Sequence, residues 1–290
     1  MMNFHFSRKI ALLLGMLTAL SFSDAVQAQQ PAGSTWDHIA QTHVLRLAGT
    51  SSELWAFRDT TGSTAPGGVK IGDTVWRGVA PVLAKALADA LGAKLEIVET
   101  TWGNAVTGLQ ANQFDMIFGL DGTPQRAAAI GFVNQPMFLY GTALLGKTGL
   151  NLASWSAIDA AKLRIGVPVG TSQSAEIARR APDAKLSQYQ GFNEMIAALQ
   201  SNRIDALATS LTSATILSAR LKGSEAKLPQ PAALFPATVA IRSETDPRWK
   251  NFLETSMQYF VNNGVVDQAL SDVYKFRGVD VSKVDPVVHR

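Results

Sequence analysis

Between residues 79 and 91 the apolar positions Val79, Val82, Leu83, Ala86, Leu87, Ala90 and Leu91 recur every three to four residues, and Gly92 follows. That spacing predicts one buried helix face with a glycine stop. Short apolar runs at 44–47, 95–98 and 114–120 have the length of buried strands. Residues 102–110, apolar at Val106 and Leu109, return to helical spacing. Near the C-terminus Asp246-Pro247 opens a helix that carries Phe252, Leu253, Met257, Phe260 and Val261 on one face and closes at Asn263-Gly264; residues 265–274 make another. Two further apolar runs, 140–145 and 238–241, read as extended chain. Polar stretches separate these elements. Residues 29–43 read as a lead-in, 59–73 as a turn region with a hairpin tip around Gly62, Pro66, Gly67 and Gly68, and 275–290 shows no period. Helices and strands therefore alternate along the chain, and the fold class is α/β.

The pattern repeats. Trp102, Leu109, Gln110, Asn112 and Asp115 face Phe192, Leu199, Gln200, Asn202 and Asp205 at a constant offset of 90 residues. Upstream of each copy a strand ends in a hydroxyl-bearing turn, Thr50-Ser51 in one case and Thr171-Ser172 in the other. Two copies are too few for a solenoid. They fit two similar α/β lobes in one chain.

The most informative block is 102–138, which reads as helix, strand, tight turn and new helix. Thr123-Pro124 is a helix start, with Thr as N-cap and Pro at the first helical position. Arg126 then falls in the first turn, where a cation opposes the helix dipole. Such a placement makes sense where an anion arrives, because free N–H groups and a guanidinium fork together hold a carboxylate. The competing use of Arg126 is a surface ion pair.

These residues carry a family resemblance. The chain resembles the periplasmic solute-binding proteins of family 3, the polar amino-acid receptors of ABC importers, from about residue 44 to about 274. The block 102–138 is the most specific part, supported by 45–50, by Ala84-Lys85-Ala86-Leu87 before Leu91-Gly92, by Gly170-Thr171-Ser172 and by Ile204-Asp205-Ala206. The resemblance implies a two-lobe periplasmic-binding-protein-like fold of type II with two crossover hinge segments. Lobe 1 is expected at 29–141 and 239–290, and lobe 2 at 142–238. It implies a ligand site in which Trp55 and Trp102 are aromatic walls, Arg126 clamps a carboxylate, Thr171 and the Ser172 backbone contact that carboxylate from the second lobe, and the Gly119 carbonyl, or that of Leu120, meets an ammonium group. Each tryptophan has an equally ordinary use as core, and Thr171 as a helix cap.

The sequence departs from the family pattern in three places. Asp121 stands where a Thr or Ser is usual, two residues before Thr123. The spacing from Asp115 to Arg126 is one residue short. Ser210 occupies the position of an aspartate that normally pairs with the ligand ammonium. An ammonium sealed without a counter-charge costs several kcal/mol. Either Asp121 supplies that charge from the opposite lobe, or the ligand has no free α-ammonium. Asp121 also has a bland reading, as an acid favourably placed ahead of a helix N-terminus.

Composition narrows the classes. Hydrophobic residues make up 47% of the 290 and charged residues 17%, which supports a packed core. Arg8-Lys9, the apolar stretch 10–22 and Val26-Gln27-Ala28 read as a secretory signal peptide over 1–28, too short for a span of about 20 residues. The expected location is periplasmic. With no cysteine, neither a lipid anchor on cysteine nor a disulfide is available. Removing the leader takes the formal charge of +3 to +2, and no basic cluster with interleaved aromatics suggests nucleic acid. The histidines His5, His38, His43 and His289 lie in the leader, the lead-in and the tail, so neither a Ser-His-Asp site nor a metal site is expected. The expectation is a monomer that binds an amino acid or related carboxylate for a membrane ABC permease, without cofactor, metal or catalytic residues. Two other readings stay open. One is a sensory binding protein; the other is a periplasmic dehydratase on the same fold with Glu53 or Asp121 as general acid.

Overall fold

The structure, a computed structural model, describes residues 33–280; the expected leader and the last ten residues lie outside it. The strand Val44–Thr50 pairs in parallel with Lys94–Thr100 along its whole length. A parallel pair needs a crossover connection, and the helix Val79–Ala90 supplies it. Its Val79, Leu83, Ala84 and Leu87 are fully buried, as the periodicity predicts, and Gly92 follows at φ +61°. Within that connection Phe57–Arg58, Val69–Ile71 and Thr74–Arg77 form a small antiparallel sheet, so the predicted hairpin tip lies at Gly72-Asp73.

The run 114–120 is a strand only in part. Met116 bridges Leu47, and Ile117–Phe118 pairs antiparallel with Val239–Ile241, which also pairs with Gly131–Phe132. Beyond Phe118 the chain turns away at Gly119, which ends the ladder. The C-terminal helices Arg248–Asn262 and Val265–Phe276 pack Trp249, Leu253, Met257, Leu270 and Val273 into the same core.

A second sheet has the order Lys185–Tyr189, Arg164–Pro168, Ala206–Ser210, Phe138–Lys147, Ser224–Lys227, with Leu234–Ala237 paired to the start of the fourth strand. That fourth strand serves two cores. Phe138 and Tyr140 belong to the first core, whereas Ala143, Leu144 and Leu145 belong to the cores on the two faces of the second sheet. The helices Ser172–Arg180 and Phe192–Gln200 cover this sheet. The overall arrangement is the two-lobe α/β fold of type II that the resemblance implied.

Besides the six-residue helix Trp155–Ala160, two longer helices were not foreseen. The lead-in contains Thr35–Thr42, capped by the Ser34 hydroxyl, which accepts from the Asp37 N–H. It buries only Thr35 and Ile39, and its first turn is held by the distant Glu244 carboxylate, which accepts from the Thr35 N–H at 3.0 Å. A helix anchored this way leaves almost no apolar periodicity. The other, Leu211–Arg220, buries Thr212, Ser213, Ala214, Ile216 and Leu217. Small and hydroxyl residues on a helix buried on several sides blur the amphipathic signal.

The internal repeat is real at the level of atoms. Asn112 and Asn202 both take left-handed backbone, φ 54° and 59°, after their helices. Asp115 accepts from the Arg46 backbone N–H (2.7 Å) and from its Nη2 (2.6 Å); Asp205 accepts from the Arg164 N–H (2.8 Å) and Nη2 (2.6 Å). The two pairs differ in burial. The Asp115 side chain is 0% exposed and that of Asp205 30%. Removing one partner of a buried pair costs about 3–5 kcal/mol, and of an exposed pair about 1 kcal/mol or less. Asp115→Ala should therefore lower the urea midpoint several times more than Asp205→Ala. Equal shifts for the two variants would show that burial is not what separates them.

Candidate binding site

The site is built on the turn that follows Ile117–Phe118. Gly119 has φ +78°, and a Cβ there would lie 2.2 Å from the Trp55 indole, so only glycine lets the ring and the backbone meet. Trp55 is itself stacked on Phe138, centroids 5.7 Å apart and planes 8° from parallel. The return strand pins the turn: Gly119 donates to the Thr238 carbonyl (2.9 Å), and the Thr238 hydroxyl donates to the Leu120 carbonyl (3.2 Å). The Leu120 carbonyl thus has a protein donor already.

The helix Pro124–Ala127 starts as predicted, with the Thr123 hydroxyl accepting from the Arg126 N–H at 3.3 Å. The Arg126 guanidinium donates from Nη1 to the Asp121 carbonyl (2.9 Å) and from Nη2 to the Gly170 carbonyl (2.6 Å). The second bond crosses from one lobe to the other. The crossing is close, because a Cβ on Gly170 would sit 2.8 Å from the Gly103 Cα.

The Asp121 side chain makes a parallel crossing. Its two carboxylate oxygens accept from the hydroxyls of Tyr140 and Ser172, and Arg126 Nη1 lies 3.9 Å away. Burial raises the Asp121 carboxyl to about 6, against the opposing effects of the Ser172 hydrogen bond and the Arg126 charge. The same burial lowers the Arg126 pKa, offset by Asp121.

These groups surround a small cavity of about 50 Å³. Of the residues expected from the sequence, Trp55, Trp102, Gly119, Asp121, Arg126, Thr171 and Ser210 lie on its wall; Ser172 stands behind, bonded to Asp121. Thr171 heads the helix Ser172–Arg180, but its hydroxyl donates to the Pro168 carbonyl (2.9 Å) instead of capping. Ser210 does cap a helix, accepting from the Ser213 N–H at 3.2 Å. A second compartment of about 190 Å³ adjoins the first and shares Trp102, Pro168 and Phe192 with it.

Glu53, considered as a general acid, is buried but does not line the cavity; its carboxylate pairs with Arg220 at 2.5 Å and Arg277 at 3.0 Å. Sequence reasoning also missed Tyr140, Gln173, Phe192 and Ser213 on the wall. Phe192 was signalled, since the repeat sets it opposite Trp102. Among the described residues no group of three His, Cys, Asp or Glu side chains is placed to hold a metal.

With this geometry in view, residues 59–152 match the model of bacterial extracellular solute-binding proteins, family 3. Over that stretch the chain is similar to family 3 solute-binding proteins. Solved structures extend the likeness over most of the chain. An amino-acid ABC transporter substrate-binding protein from Streptococcus pneumoniae, bound to L-arginine, is similar with a TM-score of 0.74 at 20% identity, over 84% of this chain and 98% of that one. The cysteine-binding protein of Campylobacter jejuni is similar with a TM-score of 0.73 at 21% identity, over 87% and 97%. An ancestral amino-acid-binding protein, a precursor of cyclohexadienyl dehydratase, reaches 25% identity with a TM-score of 0.68, over 84% and 99%. No curated protein sequence matches. Proteins of family 3 act outside the cytoplasm, as the model's description states.

The raised pKa of Asp121 has a definite sign. The folded value of about 6 lies above the ordinary 3.8, so between those values the folded state holds a proton that the unfolded state has released. This contribution to stability is complete below the unfolded value and is lost as pH rises through the folded one, on the order of 1–3 kcal/mol. Asp121→Asn should remove it. The melting temperature of the ligand-free wild type, relative to the variant, should fall between about pH 4 and pH 7. Parallel curves across that range would count against a buried, titrating Asp121.

Proposed function

We propose that this chain captures a small carboxylate-bearing solute, an amino acid or close derivative, in the periplasm and delivers it to an ABC importer. The observation that carries this reading is the meeting, at one cavity between two lobes, of the Arg126 fork, the start of the helix Ser172–Arg180, a buried acid and the rings of Trp55 and Trp102. A guanidinium and a helix N-terminus attract a carboxylate. Asp121, on the same wall, attracts an ammonium. The fold adds support, since neighbours of the same architecture are substrate-binding proteins of amino-acid transporters.

In this reading lobe 1 is 29–141 with 239–290, and lobe 2 is 142–238. The chain crosses near 141 and 239, and closure about these segments surrounds the solute. The ligand favours the closed form through contacts that only that form offers. Arg126 takes the ligand carboxylate, Thr171 and Ser172 approach it from lobe 2, and Asp121 takes the ammonium that Ser210 does not neutralise. The protein works as a monomer, exported by its leader. Binding rather than turnover is the reading, because Asp121 is the single acid on the cavity wall and Glu53 is held elsewhere by two arginines.

Arg126→Ala tests the reading. Leaving a ligand carboxylate desolvated without its partner costs about 2–5 kcal/mol, a loss of at least thirtyfold in affinity. Calorimetric titration with an amino acid that binds the wild type should show that loss, while circular dichroism shows an intact fold. Wild-type affinity in a folded Arg126→Ala variant would refute the assignment.

A further inference from the structure

We infer that the solute carries no net charge: it is a zwitterion whose side group is uncharged and lies between Trp102 and Phe192. The inference rests on the amino-acid reading above and narrows it.

The first ground is a charge count. Among the described residues, Asp121 and Arg126 are the only charged side chains on the wall of the main cavity, and the adjoining compartment has none. They stand 3.9 Å apart, one negative and one positive. A zwitterion places its ammonium on one and its carboxylate on the other, and every charge in the closed cleft then has a partner. A cationic side group would need a second carboxylate. The two other buried glutamates in this part of the fold are committed: Glu53 to Arg220 and Arg277, and Glu176 to Arg179 and Arg180. An acidic side group would need a second cation, and none lines either compartment. A desolvated ion without a partner is strongly penalised, so both classes are excluded from the closed form.

The second ground is the shape and chemistry of the adjoining compartment. It opens beside Trp102, Pro168 and Phe192, which it shares with the main cavity, and it extends along Thr50, Thr100 and Thr101. Its lining is thus aromatic and hydroxyl-bearing, with the Gln190 amide as a further uncharged polar group. At about 190 Å³ the compartment has more room than the cavity that holds the two charges. This places the ligand's backbone-like charges at Asp121 and Arg126 and its side group beyond the rings.

The experiment is calorimetric titration of the full chain with each of the twenty amino acids. The tightest ligand should be uncharged in its side group, with arginine, lysine, aspartate and glutamate at least tenfold weaker. A charged amino acid as the tightest ligand would overturn this inference and leave the proposed function standing. Binding of none of the twenty, with tight binding of a carboxylate that lacks an α-ammonium, would overturn this inference and its amino-acid premise, and leave capture of a carboxylate-bearing solute standing. Gln190→Glu gives a gain-of-function arm. Gln190 lines the adjoining compartment, so the variant adds a carboxylate where the side group is placed, with little change of shape. Its affinity for lysine or arginine should rise at least tenfold over the wild type. A folded variant with no such gain would refute the charge count as the source of selectivity.

Discussion

A carboxylate that loses its water must be met by donors, and Asp121 meets them on three separate segments. Tyr140 comes from the strand shared by both cores, Ser172 from the first residue of a second-lobe helix, and Arg126 from the helix just after the turn. None of these partners is held by the others. Each is placed by its own element: Tyr140 by the long strand Phe138–Lys147, Ser172 by the sheet strand Arg164–Pro168 that precedes it, Arg126 by the Thr123 cap. Satisfying one buried acid thus requires that the turn, the crossing strand and the second lobe all be in register. Because an unsatisfied buried charge is so unfavourable, the same acid that completes the site also biases the lobes toward one another.

That bias sets the terms on which a ligand enters. Under the proposed function, a solute that reaches Arg126 and Asp121 replaces the Arg126–Gly170 and Asp121–Ser172 contacts that join the two halves. The ligand then has to offer both lobes at least as much as these contacts did. What is measured as affinity is the difference between two closed forms, one held by protein groups alone and one held through the solute. Glu53 acts in the same direction at a different place. It joins Arg220, at the end of the helix Leu211–Arg220, to Arg277 after the helix Val265–Phe276, a further link between the two halves.

Much of this was legible in the residues, and the limits have physical causes. Local rules carried the helix 79–90, the Thr-Pro start ahead of Arg126, the C-terminal helix pair and the duplicated Asn-x-x-Asp turns, because each depends on neighbours within a few positions. The wall of the cleft was legible where a residue belonged to such a unit. What stayed hidden was set at long range. Thr35–Thr42 depends on Glu244, more than 200 residues away; the partners of Glu53 come from positions 220 and 277; Ser172 touches an acid 51 residues earlier. No periodicity encodes such pairings. The strand 114–120 was overread for a related reason. Its apolar run continues, but Trp55 arrives from another segment and forces the backbone to turn at Gly119.

The duplication itself explains why the two lobes meet as they do. Both halves carry the same strand, Arg–Asp pair and helix, and these parts diverged little in geometry. Divergence is concentrated at the strand ends that face the cleft. One half places Asp121 and Arg126 there, whereas the other places Thr171, Ser172 and Ser210, neutral groups that donate or accept as needed. Two identical charged faces would repel on closure. One face with a balanced pair of charges and one with hydroxyls and helix N-termini meet without repulsion. Under the proposed function, charge selectivity follows from how unequal the two halves are, because a charged group brought in without its partner stays unpaired.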